Sequence, residues 1–187
     1  MTPLLGFCGA SGSGKTTLVS RVIRELTGRG LKVGAIKHHG HPEPLQTSAL
    51  SEDSPNKSPK DSDVLAQAGA QRVALCHAGG VWLFAPPLAE NETPAHIAAE
   101  FMQGMDLVLV EGFKTADIDK IEVVAPGKEP MLPAGGKLIA LARRIDPSVK
   151  KVEAGLPVLN ADAPETVADF VLQHLQATTM TDRSKVM

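Results

Sequence analysis

Short apolar runs alternate along this chain with stretches whose apolar residues recur every three or four positions. The first run, Leu4-Leu5-Gly6-Phe7-Cys8, has the length and composition of a buried strand. Behind it Leu18, Val22 and Leu26 recur at a spacing of four, with Val19 and Ile23 beside them, which puts an apolar stripe on a helix. Gly28-Arg29-Gly30 ends that helix, and residues 31–37 (LKVGAIK) read as a second strand. The rhythm then breaks from His38 to Lys60. Pro42, Pro44, Pro55, Pro59 and a scatter of serines without periodicity predict a long mobile loop there. A short helix is expected over about 61–68. Residues 71–76 and 81–84 are apolar runs around Ala78-Gly79-Gly80, the pattern of a hairpin. Residues 93–102 read as a helix with Ile97, Phe101 and Met105 on one side.

Asp106-Leu107-Val108-Leu109-Val110-Glu111-Gly112 places four consecutive aliphatics between acids, as in a central parallel strand buried on both faces. Further strands are predicted at 120–124, 137–142 and 155–160. A helix follows from about 163 to 177, with Asp162 and Glu165 spaced as a capping box, and residues 178–187 read as a frayed tail. The alternation predicts an α/β fold with a mostly parallel sheet covered on both faces and a hairpin extension. It reads as one domain, residues 1–177, without internal repeats.

The turn between the first strand and helix is the most specific feature. Gly9-Ala10-Ser11-Gly12-Ser13-Gly14-Lys15-Thr16-Thr17 matches G-x-x-x-x-G-K-[ST] in full, and in the strand–turn–helix context that this motif requires. Gly9, Gly12 and Gly14 let main-chain N–H groups approach an anion. The helix N-terminus adds its unpaired N–H groups and its dipole. Lys15 is expected to reach the β- and γ-phosphates, and the Thr16 hydroxyl to coordinate Mg²⁺. The expected architecture is therefore a three-layer P-loop NTPase fold.

Composition narrows the setting. With 187 residues the chain has room for one domain with a substantial core, and its formal net charge of −2 gives no general affinity for nucleic acid or an anionic membrane. No apolar run approaches the roughly 20 residues of a membrane span. Met1-Thr2-Pro3 carries no basic segment ahead of the first strand, so the expectation is a cytoplasmic protein. Cys8 and Cys76 each sit in an apolar run; they read as buried free thiols, with a disulfide between neighbouring strands as the alternative.

Ligands of such sheets sit beyond the C-terminal ends of the strands. Glu111 is at such an end and is the expected acidic partner of Mg²⁺, and with Lys15 one of the two residues expected to act on the nucleotide. Asp106 begins the same strand at the opposite end of the sheet and is expected to be structural. Lys37-His38-His39-Gly40-His41 does not have zinc-ligand spacing. Lys37 and His38 read either as a positive rim for a second anionic group or as a solvated loop.

These segments resemble a family. The phosphate loop, the strand ending Ile36-Lys37-His38, and Leu109-Val110-Glu111-Gly112-Phe113-Lys114 with Lys120-Ile121-Glu122-Val123 are similar to the adapter protein B family of molybdopterin-guanine dinucleotide biosynthesis. Ala68-Gly69-Ala70 after Asp61-Ser62 fits as well, and the likeness runs from Leu4 to about Leu175. The loop alone is widespread; the segments around Lys37 and Glu111 are far more specific. The resemblance implies a GTP-binding protein with weak GTPase activity that assists the guanylyltransferase joining GMP to molybdopterin, and that forms a homodimer. It implies nucleotide contacts at Gly12, Ser13, Gly14, Lys15, Thr16 and Thr17, and a place for Lys37 and His38 near the phosphates or a pterin ligand.

The chain departs from that family after the histidines. Relatives carry a stretch of the form D-x-D-x-P-G-K-D-S. Here residues 53–62 (DSPNKSPKDS) keep only its end, and Val64 stands where an arginine is expected. No N-K-x-D base-reading element is present: Asn160-Ala161-Asp162 lacks the lysine, and Asn56-Lys57-Ser58-Pro59 lacks the aspartate. A small-molecule kinase of the uridine or adenylylsulfate type is the competing reading. It needs a carboxylate after the second strand and an arginine-bearing lid, for which Arg143-Arg144 is the adjacent pair.

Overall fold

The computed structural model describes residues 2–38, 64–65, 68–85, 92–133, 137–144, 152–153 and 155–184. Residues 1–39 with 93–187 make one compact unit and residues 40–92 a second. The elements are β1 (Leu4–Cys8), α1 (Lys15–Gly28), β2 (Val33–Lys37), β3 (Val73–His77), β4 (Gly80–Phe84), α2 (Pro94–Phe101), β5 (Leu107–Glu111), β6 (Lys120–Val123), β7 (Leu138–Arg143), β8 (Val152–Glu153), β9 (Leu156–Asn160) and α3 (Pro164–Ser184).

The first unit carries one sheet in the order β2-β5-β1-β6-β7-β9-β8. All pairings are parallel except that of the short edge strand β8 with β9. β5 shows why this is a three-layer fold. Its residues alternate between faces, so Leu107 and Leu109 enter one core while Val108 and Val110 enter another. The first core packs Leu18, Val22 and Leu26 of α1 and Val167 and Val171 of α3 against Leu5 and Phe7. The second packs Ala98 and Ile97 of α2 against Ile36. Thr93 caps α2 by accepting from His96 N at 3.3 Å.

On this second face the far end of the sheet is covered by segment 124–133 instead of a helix, with Leu132 on Val124, Leu138, Leu141 and Val158. Glu122 holds that segment. Its side chain is in a residue only 1 % exposed, and its carboxylate accepts from Met131 N at 2.7 Å and Leu132 N at 3.0 Å. Replacing Glu122 by alanine strands two N–H groups under the sheet and leaves a void. We expect a loss of about 2–4 kcal/mol in urea unfolding, with Glu122→Gln, which keeps one acceptor, losing less.

Several boundaries differ from expectation. β2 starts at Val33 because Lys32 turns toward Asp106: its N–H donates to Asp106 Oδ2 at 2.7 Å and its carbonyl accepts from Asp106 N at 2.8 Å. Asp106 is thus a structural clamp at the far end of the site strand. α3 runs on to Ser184, so the predicted tail is mostly helical backbone. It begins at Pro164, a residue suited to the first helical position, which leaves Asp162 outside the cap; Asp162 instead faces Arg144 at 3.4 Å. Cys8 is buried and free, donating weakly to Ile121 O at 3.7 Å, whereas Cys76 is free but exposed.

In the second unit β3 and β4 pair antiparallel, with His77 opposite Gly80 across the Ala78-Gly79 turn. Val81, Trp82 and Leu83 of β4 stand exposed. The expected loop over 38–60 lies, beyond His38, outside the described residues. Of the expected helix at 61–68, Val64 and Leu65 are described and helical. Among the described residues no helix is long and apolar enough to cross a membrane.

Candidate functional site

β1 leads directly into the glycine loop, and the loop into α1. Gly9, Gly12 and Gly14 adopt φ of 139°, 73° and 88°, which other residues resist. Gly9 has a second constraint: a Cβ there would lie 2.3 Å from Val123 O, so the loop presses on the end of β6. Gly14 sits at the N-cap of α1 with no side-chain cap, and the first helical turn holds no acidic residue. The positive end of the helix is left for an external anion.

Side chains reinforce that. Lys15 opens α1 and curls back so that Nζ donates to Ala10 O at 2.5 Å, inside the loop. Burial holds its pKa below the ordinary lysine value; Glu111 opposes this, while Lys114 and Lys37 add to it. Ser13 Oγ is buried without a partner among the described residues, a donor of the kind that a phosphate oxygen satisfies. Thr17 is exposed in the first turn.

The pairing of β1 with β5 brings in the acid. Phe7 lies opposite Glu111, and Lys37 of β2 lies opposite Glu111 on the other side. Thr16 Oγ1 donates to Glu111 Oε1 at 2.7 Å. Lys37 Nζ lies 3.4 Å from the same carboxylate oxygen and 3.3 Å from Thr16 Oγ1. Two oxygen donors thus already attract a cation, here an ammonium group. Hard oxygen ligands of this type, with phosphate and water completing the shell, suit Mg²⁺.

His38 extends the cluster through its backbone and ring. Its N–H donates to Glu111 O at 2.9 Å, and its ring packs on Phe113 with centroids 4.6 Å apart. A Cβ on Gly112 would meet His38 Cβ at 2.9 Å. The two segments around Lys37 and Glu111 are therefore one packed unit. The structure brings together Lys15, Thr16, Lys37, His38 and Glu111, beside Gly9, Gly12, Ser13 and Gly14. Sequence reasoning did not single out Glu122 for its anchoring role. A charged residue inside an apolar strand was the available signal.

The mostly parallel sheet, the glycine loop at the end of its interior strand β1 and the acid on the neighbouring strand β5 define a P-loop nucleotide-binding protein. The family model described as "Molybdopterin guanine dinucleotide synthesis protein B" (MobB) matches residues 4–144, and the chain belongs to that family. A probable molybdopterin-guanine dinucleotide biosynthesis adapter protein of Bacillus subtilis (strain 168) is 32% identical over 176 residues, 93% of this chain and 94% of that protein. The corresponding adapter protein of Escherichia coli (strain K12) is 34% identical over 184 residues, 94% of this chain and 95% of that one. A crystal structure of Bacillus subtilis MobB superposes with a TM-score of 0.67 at 31% identity, covering 91% of this chain and 96% of that one.

Proposed function

We propose that this protein binds GTP with Mg²⁺ and serves as an adapter to the guanylyltransferase that attaches GMP to molybdopterin. The contact that carries the reading is Thr16 Oγ1 against Glu111 Oε1 at 2.7 Å, directly below the phosphate loop. In this role Lys15 binds the β- and γ-phosphates, Gly9 and Gly12 to Thr17 wrap them, and Thr16 and Glu111 hold the cation. When bound, Mg²⁺ offsets charge on the phosphate oxygens. Lys37 and His38 line the rim, where they face the phosphates or a pterin. The names of relatives matched over more than nine tenths of the chain support the pathway.

Hydrolysis is slow in this proposal, because phosphoryl transfer depends on positioning and charge, and among the described residues no side chain is placed as a general base. A homodimer, supported by the exposed apolar residues of β4, and a cytoplasmic location belong to the same proposal. The kinase alternative requires a carboxylate beyond β2, and that position holds Lys37 and His38.

Competition binding with Mg²⁺ tests the nucleotide, with sedimentation of the same samples testing the dimer. We expect GTP to be preferred over ATP by at least about tenfold, a difference of about 1.4 kcal/mol. ATP preference would instead direct attention to acceptor substrates of a kinase.

A further inference from the structure

We propose that Lys37 is an exchangeable stand-in for the divalent cation, its ammonium holding Glu111 and Thr16 together until it is exchanged for Mg²⁺ entering with the nucleotide. The inference rests on the GTP and Mg²⁺ reading above and assigns Lys37 a role within it.

Three side chains from three elements converge on one point. Lys37 closes β2, Glu111 closes β5 and Thr16 lies in the first turn of α1. Parallel pairing sets Lys37 opposite Glu111, so both side chains leave neighbouring strands at one level. Thr16 Oγ1 donates to Glu111 Oε1 at 2.7 Å. Lys37 Nζ donates to Thr16 Oγ1 at 3.3 Å and lies 3.4 Å from the same carboxylate oxygen. The Thr16 hydroxyl spends its proton on Glu111, so it meets Lys37 with a lone pair. Oxygen lone pairs of this kind are what a hard cation also takes.

Two cations cannot share these oxygens. Magnesium sits about 2.1 Å from each oxygen ligand, so on any side of Thr16 Oγ1 it stands within about 5.4 Å of the ammonium. Like charges at that range, beside a poorly solvated carboxylate, repel strongly. Burial decides which group gives way. The Glu111 side chain is 13 % exposed and that of Lys37 58 %. Glu111 is also gripped through its backbone, by β1 on one side and β2 on the other, with its carbonyl accepting from His38 N at 2.9 Å. Lys37 has a flexible four-carbon stem on the first strand of the sheet order. Lys37 therefore turns out to the rim, while Glu111 and Thr16 keep their places.

Nucleotide without metal also feels this lysine. An uncovered carboxylate beside the phosphate loop repels a polyphosphate. The Lys37 ammonium covers Glu111, so GDP binding keeps part of its strength before Mg²⁺ is added.

The test uses the full chain, Lys37→Met and, as the conservative variant, Lys37→Arg. GDP affinity is measured by titration in saturating Mg²⁺ and again in EDTA, with thermal melts of the same samples. We expect Lys37→Met to weaken GDP binding in EDTA by about tenfold or more, with the affinity in saturating Mg²⁺ changed less than about threefold. The Mg²⁺ concentration that half-restores GDP binding is expected to fall by about tenfold in Lys37→Met. Lys37→Arg, which keeps the charge, is expected to follow the wild type in EDTA. Equal losses with and without Mg²⁺ would overturn the stand-in role in favour of an ordinary phosphate contact. Unchanged affinities in both conditions, or no measurable GDP binding by the wild type in EDTA, would overturn it as well. Failure of the wild type to bind guanine nucleotide even with Mg²⁺ would overturn the nucleotide reading itself, and is seen before any variant is compared.

Discussion

Replacing Lys15 by alanine is expected to weaken GTP binding by at least about 100-fold while leaving the ligand-free protein no less stable. The affinity loss follows from removing charge-assisted hydrogen bonds to two phosphates, worth about 1.5–3 kcal/mol each. The stability half follows from burial. Lys15 has a lower pKa in the folded chain than the ordinary lysine value, because the charged ammonium is partly desolvated between the loop and α1. The unfolded state then binds the proton more tightly, so this residue makes the ligand-free fold more stable as pH rises through the window between the two values. Alanine removes that penalty. A bound triphosphate acts the other way, favouring the charged amine. GTP binding should therefore take up protons on the alkaline side and weaken there as pH rises, a dependence lost in Lys15→Ala. Fluorescence titration across pH, with thermal melts of the same samples, measures both halves. Loss of stability equal to the loss of binding would make Lys15 a structural residue.

Gly9→Ala is expected to be the most damaging single-methyl change in the loop. The new Cβ would stand 2.3 Å from Val123 O at a backbone φ of 139°, so steric overlap and an unfavourable conformation coincide. Neither side yields readily, since β1 and β6 are paired along Gly6 to Cys8 and Lys120 to Glu122. We expect a loss of about 3 kcal/mol or more in urea unfolding. Gly12→Ala is the control. With φ 73° and open space around its Cβ direction, it should cost only the left-handed penalty of about 1–2 kcal/mol. Equal unfolding midpoints for the two variants would remove the clash with β6 from the account.

The class of fold was legible because its signals are local. The apolar run at Leu4–Cys8, the spacing of four in α1 and the four aliphatics of β5 each report burial directly. The loop motif was legible for the same reason, since its glycines, lysine and threonine are consecutive. Glu111 was legible as a strand-end acid, and its partner Thr16 came from the motif. Their meeting at 2.7 Å was an inference across 95 positions that sheet order had to supply.

Other features had no local signature. Cys8 and Cys76 occupy similar apolar runs, yet one is buried in an interior strand of the sheet and the other exposed on a hairpin, because burial depends on what covers a strand. The burial drives the Cys8 thiol up to about 11, with Glu122 adding to it. The sequence placed Lys120 and Glu122 on a strand without saying whether they are covered. In the fold both are buried, with the Lys120 ammonium on the carbonyls of Ala116 and Ile118 and the Glu122 carboxylate on two N–H groups. The extension of α3 past Ala177 was hidden by its polar composition.

By itself, then, the sequence determined the alternation of strands and helices, the phosphate loop and the acid that would accompany it, since each is written in neighbouring residues. Only the tertiary structure decided the order β2-β5-β1-β6. That order sets Lys37, Glu111 and Thr16 around one point. Such contacts arise from parallel strands lying side by side, and strand pairing is a long-range choice that no window of sequence contains.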